Sequence, residues 1–220
     1  NTKAVVITHL WGIPAEVAEI AKILKERHIL LFEDCSHALG SSVNGKAVGS
    51  FGIGSAWSLG AKKNITGGQG GMLTTNDYNI FQKSVCFGFS TNNFGDKKIT
   101  LDELKTFKVT GIGFNFRMHP FSSFVINEQL KKYSNVLEEK NKIANYFIQE
   151  INKINGLEVP YIPLGAKSSC YKLSNAWNYH ERVIKMPVYY GKNSLLYAQA
   201  YINAIKKVVN NYKDLLKSVK

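Results

Sequence analysis

The chain is poor in cysteine. Cys35, Cys86 and Cys170 are odd in number and far apart. That excludes a disulfide scaffold, and the spacing lacks the paired ligands of a structural zinc site. Reduced thiols are the expectation, and with them a cytoplasmic location. No apolar run approaches the roughly 20 residues of a membrane-spanning helix, and no stretch reads as a secretory leader. Acid is also scarce: 16 Asp and Glu stand against 28 Lys and Arg, a net charge of +12. The lysines are scattered (Lys22, Lys25, Lys46, Lys97, Lys98, Lys131, Lys132, Lys206, Lys207) and form no basic stripe interleaved with stacking aromatics. Nucleic-acid binding is therefore not expected. A modest positive field suits small anionic substrates such as nucleotide diphosphates. What is present is ordinary for a globular protein, with 45% hydrophobic residues over 220 positions, enough for one substantial core and a small second lobe.

Residues 4–9 read as a buried strand and 12–14 as a turn. A helix to about His28 carries Val17, Ile20, Ala21 and Leu24 on one face. Residues 29–32 form a second buried strand ending at Glu33-Asp34, which completes a strand–helix–strand unit of the parallel-sheet kind. Asn44-Gly45 signals a tight turn. Residues 53–59 form a third strand, and Gly71 to Thr75 a fourth, with a short loop that favours antiparallel pairing. Asp77 caps a helix through Phe81 and Val85, and 90–100 read as a surface loop. Two helical stretches follow Met118-His119-Pro120, the second over roughly 135–155 with Ile143, Phe147, Ile151 and Ile154 in phase. Residues 156–190 are irregular. Ser194 caps a final helix with Ala198, Tyr201, Ile202, Ile205, Val209 and Tyr212 on its inner face.

Chemistry concentrates between residues 33 and 71. Asp34 ends a parallel strand, where open α/β sheets form ligand sites; a buried carboxylate there needs a cationic partner, though capping or a structural ion pair would also explain it. His37 follows three residues later and can hydrogen-bond or stack on a ring held by Asp34, or serve structure alone. Lys63 stands between Ser58 and the run Gly67-Gly68-Gln69-Gly70-Gly71. A desolvated lysine near other cations becomes a nucleophile able to form a Schiff base. Lys62 is a candidate neighbour cation, or the solvated member of the pair. Ser58 can donate its hydroxyl to a phosphate. The glycines allow close backbone approach, or simple turn chemistry; they match neither the P-loop nor the dinucleotide spacing.

Taken in order, these pieces resemble the fold type I pyridoxal-phosphate enzymes, and within them the DegT/StrS-type nucleotide-sugar aminotransferases. The resemblance starts at the strand and turn of residues 2–12, ending His9-Leu10-Trp11-Gly12. It continues through Glu33-Asp34-Cys35-Ser36-His37-Ala38-Leu39-Gly40, Gly49-Ser50-Phe51-Gly52, Trp57-Ser58 and Lys63-Asn64-Ile65. Gly68-Gln69-Gly70-Gly71, Gly113-Phe114-Asn115-Phe116-Arg117-Met118 and Met186-Pro187 complete it. It implies a three-layer, mostly parallel α/β sheet forming part of the cofactor-binding large domain over 1–133. A linking helix and a reduced C-terminal α+β small domain would occupy 134–220. It implies pyridoxal 5'-phosphate as cofactor, with Lys63 as the Schiff-base lysine and proton carrier. Asp34 would partner the ring nitrogen, His37 would lie beside the ring, and Ser58 would bind the phosphate. Asn115 would reach the phosphate of a neighbouring subunit, which implies a homodimer with shared sites. Arg117 would be structural or interfacial. The implied reaction moves an amino group from a donor, glutamate in this family, to a nucleotide-diphosphate keto-sugar.

The resemblance has departures. The family carries a further N-terminal segment with a phosphate loop and a stacking aromatic, so the sequence is expected to be the later part of a longer chain. The small domain looks shortened between Tyr171 and Arg182, Gln69 stands where the family has Glu, and Leu59 stands where Phe is common. Two other readings stay open. One is a sugar dehydratase using the same cofactor, a branch that replaces the lysine by histidine. The other is a non-catalytic partner or remnant module of the family.

Overall fold

The computed structural model describes residues 1–88, 99–108, 110–112, 114–171, 173–174, 185–186, 191 and 193–218, with side chains to residue 211. The elements in chain order are β1 (Ala4–Thr8), α1 (Val17–Glu26), β2 (Leu30–Asp34), β3 (Ser42–Val43), β4 (Lys46–Ala47), β5 (Gly54–Ser58) and β6 (Gly71–Thr75). Then come α2 (Tyr78–Phe87), α3 (Pro120–Ile151), β7 (Ala166–Lys167), β8 (Leu173–Ser174), β9 (Lys185–Met186) and α4 (Ser194–Ser218). The expected loop over 90–100 lies almost wholly outside the described residues, as do Gly113, Pro187 and the side chain of Tyr212.

The main sheet has the order β1-β2-β5-β6. The first three strands are parallel, and β6 runs antiparallel to β5, as the short connection demanded. Helix α1 crosses between β1 and β2. Its buried Val17 and Leu24 pack with Ile7, Leu31 and Val43, and Ile20 and Ala21 flank them, the face that the helical period predicted. Asn44 and Gly45 both have positive φ (50° and 78°) and close the β3–β4 hairpin. That hairpin extends to β7 in a small second sheet, whose two-residue strands left no periodic signal.

Two expectations need correction. The segment after Pro120 is one unbroken helix of 32 residues, not two stretches. Tyr133-Ser134-Asn135 contains no helix breaker, and Tyr133 is buried against the lysine loop, so packing carries the helix through. The helix also starts with Pro120 at its first position, and the His119 ring accepts from the Phe121 amide. The last helix includes Ser194 as its first residue rather than beginning after it. By contrast, the Asp77 side chain accepts from the Ile80 amide at 2.9 Å, as a cap should.

Helices α3 and α4 pack through Ile143, Phe147, Ala198 and Ile202; Tyr201, expected on this inner face, is 41% exposed. Large apolar side chains also lie open along β6 and the start of α3: Met72, Leu73, Phe116, Phe121 and Phe124. Among the described residues, no helix is long and apolar enough to cross a membrane.

Candidate active site

Parallel register aligns the ends of three strands. Thr8 sits opposite Asp34, and Asp34 opposite Ala56. The chain leaves β2 through a turn pinned to its neighbours: the Cys35 amide donates to the Ala56 carbonyl, and the Asp34 carbonyl accepts from the His9 amide. Side chains alternate across a strand, so Glu33 and Asp34 face opposite ways. Glu33 is buried, and its carboxylate accepts from the amides of Gly49, Phe51 and Gly52 and pairs with His9 Nε2 at 3.1 Å. His9 Nδ1 accepts from the Ala15 amide. Glu33, His9 and the buried Cys35 thiol lie close enough to hold a metal ion, but both Glu33 oxygens already accept protein hydrogen bonds. Burial raises the Cys35 thiol's pKa, and the adjacent Glu33 and Asp34 charges raise it further, so it stays protonated.

Asp34 is half-buried on the opposite side. Partial burial pushes its carboxyl up. Hydrogen bonds from Ser36, including the amide bond of 3.0 Å, and the nearby charges of His37 and Lys63 outweigh that and hold it below the ordinary carboxylate range. Asp34 is therefore an anion facing two cationic or titratable groups.

His37 Nδ1 accepts from the Trp11 amide at 3.3 Å, which fixes the imidazole plane. One face of that ring is covered by Tyr171, with centroids 4.3 Å apart and planes 11° from parallel. Lys63 Nζ stands 5.2 Å over the same Tyr171 ring. Asp34, His37 and Lys63 are thus brought together, with His37 and Lys63 both against the one planar ring of Tyr171. Lys63 is half-buried and Lys62 exposed, so of the two lysines Lys63 is the one turned toward the protein. Ser58 ends β5, two residues beyond the partner of Asp34. Asn115 is exposed, and its side-chain oxygen accepts from Arg117 Nε at 3.1 Å; no hydrogen bond joins it to the other four among the described residues.

The lysine loop is held from behind by α3. The Asn64 side chain donates to the Tyr133 hydroxyl at 3.1 Å and accepts from Lys140 Nζ at 2.8 Å. Gln129 exchanges two hydrogen bonds with the Thr66 backbone, and the Ser122 hydroxyl donates to the Gly67 carbonyl. Burial lowers the Lys140 pKa, and burial lifts the Tyr133 phenol to about 12. The glycines serve this packing. A Cβ on Gly67 would meet Ile126 and Ser122 within 3 Å, and one on Gly70 would meet Met118 at 2.8 Å. At these two positions glycine allows close approach to the protein, whereas Gly68, with φ of 83° and nothing within 4 Å of a built Cβ, serves the turn. Tyr171, Tyr133 and Lys140 carry no motif of their own, and only the folded chain joins them to Lys63.

The residues fit an aldehyde-bearing pyridine ring. They offer a lysine amine, a carboxylate held ionised, and an imidazole face that already accepts an aromatic ring. The fold and these side chains define an α/β protein with a lysine–carboxylate site at the open end of a parallel sheet. Comparison with known sequences sharpens this: the profile of the DegT/DnrJ/EryC1/StrS aminotransferase family matches residues 1–181, and the chain belongs to that family.

Among its curated relatives is the GDP-perosamine synthase of Escherichia coli O157:H7, 31% identical over 154 residues, 70% of this chain and 40% of that protein. Another is the UDP-4-amino-4,6-dideoxy-N-acetyl-beta-L-altrosamine transaminase of Helicobacter pylori, 32% identical over 164 residues, 74% of this chain and 42% of that protein. Among solved structures, the Escherichia coli GDP-4-keto-6-deoxy-D-mannose-3-dehydratase with bound hydrated PLP matches with a TM-score of 0.70 at 26% identity, covering 93% of this chain and 52% of that one. The chain therefore spans about half or less of the length of these relatives.

Proposed function

We propose that this chain is the lysine-bearing part of a pyridoxal-phosphate-dependent aminotransferase that moves an amino group, with glutamate as donor, to a nucleotide-linked keto-sugar. The observation that carries the reading is the Asp34–His37–Lys63 grouping around one planar ring. Bound pyridoxal phosphate would supply an aldehyde for the lysine and an electron sink for the bonds broken next to nitrogen. The protein's residues supply the rest. Asp34, held ionised, keeps a proton on a facing ring nitrogen. His37 supports the ring's inner face, fixed by the Trp11 amide. Lys63 would anchor the ring and move the proton between the substrate carbon and the cofactor carbon. Ser58, at the end of β5, donates its hydroxyl to the phosphate.

In this reading residues 1–133 form part of the large domain, and 134–220 the linking helix and reduced small domain. The protein works in the cytoplasm as a homodimer, with Asn115 reaching its partner's phosphate. Two features support that assembly. Asn115 is exposed, and its carboxamide oxygen accepts from Arg117 Nε. Phe116, Phe121 and Phe124 around it are exposed, beside a groove of about 920 Å³ lined by Gln69 to Leu73 and Phe116 to His119. An apolar patch of that kind marks an interaction surface.

The test is addition of pyridoxal phosphate to the purified chain. A visible absorption band that disappears in Lys63→Ala is the expected result. A band that survives the substitution moves the site to another lysine, and no band at all removes enzymatic function from this chain. Formation of an amino sugar from glutamate and a nucleotide-linked keto-sugar, rather than loss of a hydroxyl from that sugar, separates an aminotransferase from the related dehydratase.

A further inference from the structure

The ring that both His37 and Lys63 lie against is the protein's own Tyr171, and its placement is built in. Tyr171 follows a short strap, Ser168-Ser169-Cys170, tied down at every residue. The Ser168 hydroxyl donates to the Gly12 carbonyl at 2.9 Å. The Ser169 amide donates to the same carbonyl at 3.0 Å and to the Ser41 hydroxyl at 2.9 Å, and the Ser169 hydroxyl donates to the His37 carbonyl at 2.9 Å. The Cys170 amide donates to the Ser168 hydroxyl, and its thiol to Asn141. Cys170 adopts a φ of 51°, a left-handed turn uncommon for a residue with a side chain, and that turn delivers Tyr171 over His37. Gly12 makes room for the strap: a Cβ there would stand 2.4 Å from the Ser169 hydroxyl. At its far end the Tyr171 hydroxyl donates to the Lys62 carbonyl at 3.2 Å, which ties the ring to the lysine loop itself.

Resting on the function proposed above, we propose that Tyr171 holds the ring slot of the unloaded chain. A planar cofactor then reaches His37 and Lys63 only when Tyr171 lifts from the imidazole. The 4.3 Å stack leaves no layer for a second ring; inserting one requires roughly twice that separation. Tyr171 is thus a gate on loading. It competes with the ring for the face of His37 and stands against the Lys63 amine.

Capture by Lys63 reads this out without any turnover. The amine adds to the aldehyde carbon of pyridoxal phosphate and water leaves; borohydride then delivers hydride to the resulting carbon–nitrogen double bond and fixes a secondary amine, located by peptide mass. Tyr171→Ala is expected to capture pyridoxal phosphate at Lys63 with an apparent Kd about ten-fold lower than the unmodified chain. Tyr171→Phe keeps the stack, loses the bond to the Lys62 carbonyl, and is expected to fall between the two. The His37 C2 proton, shifted upfield by the stacked ring in the unmodified chain, is expected to return downfield in Tyr171→Ala. Capture at Lys63 that is unchanged or weaker in Tyr171→Ala overturns the gate, since Tyr171 would then be neutral or a platform for the ring. No capture at Lys63 in any of the three chains overturns the proposed function, and the gate with it.

Discussion

Glu33 and Asp34 are consecutive carboxylates on one strand, and they do opposite jobs. Both are held below their ordinary range although burial opposes it in each. Glu33 achieves this with His9 and three backbone amides in a closed, buried set, so its charge is spent on the fold. It pins the loop of residues 49–52 and the turn after β1 to the sheet. Asp34 achieves it with Ser36 and the fields of His37 and Lys63, on the side where the strand ends open. A depressed carboxylate is therefore not in itself a mark of function. The distinction lies in whether its partners saturate it or leave an edge for a ligand.

That contrast can be broken most severely at the closed end. Glu33→Ala strips the acceptor from three amides and His9. It should lower unfolding free energy by about 3–5 kcal/mol, the range for breaking a buried charged network, read by chemical denaturation. A pH series should show the next effect. Because the folded pKa of Glu33 is lowered, its contribution is fully present above the unfolded value near 4.5 and is lost as pH falls through the folded one. Stability of the unmodified chain should drop across that acidic window, and Glu33→Gln should start lower and drop less. The smallest structural effect belongs to Asp34→Asn, with stability expected within about 0.5 kcal/mol of the parent, as for a half-exposed substitution away from the core. Its consequence should appear in weaker pyridoxal-phosphate binding instead. Should Asp34→Asn destabilise the chain as much as Glu33→Ala, the division of labour between the two carboxylates would be wrong.

The same local logic explains what could be read in advance. Asp34 and Ser58 end strands with clear apolar patterning, and His37 and Lys63 follow a few residues later, so their order along the chain, with the family resemblance, grouped them as candidates. The α1 face and the antiparallel β6 followed from period and loop length. The continuity of α3 did not, because Tyr133, Gln129 and Lys140 are held by the lysine loop far away in sequence, and long-range packing outweighs a weak local pattern. Nor did Tyr171. Its position depends on a left-handed Cys170 and on hydrogen bonds to Gly12, His37 and Ser41, none of which leaves a periodic trace. The small β3–β4–β7 sheet was equally silent apart from its Asn44-Gly45 turn.

Helix α3 has one more consequence. Ser122, Ile126, Gln129, Tyr133, Leu137 and Lys140 recur every three or four residues along one side, and each meets the lysine loop or the residues packed with it. Each residue of an α-helix turns the next by about 100° and advances it about 1.5 Å. A single residue inserted between Gln129 and Tyr133 would swing Tyr133 and Lys140 away from Asn64 while Ser122 and Gln129 stayed in place. The spacing of this helix is therefore under constraint as well as its composition: an inserted residue here would break contacts that a residue added to a surface loop would leave alone.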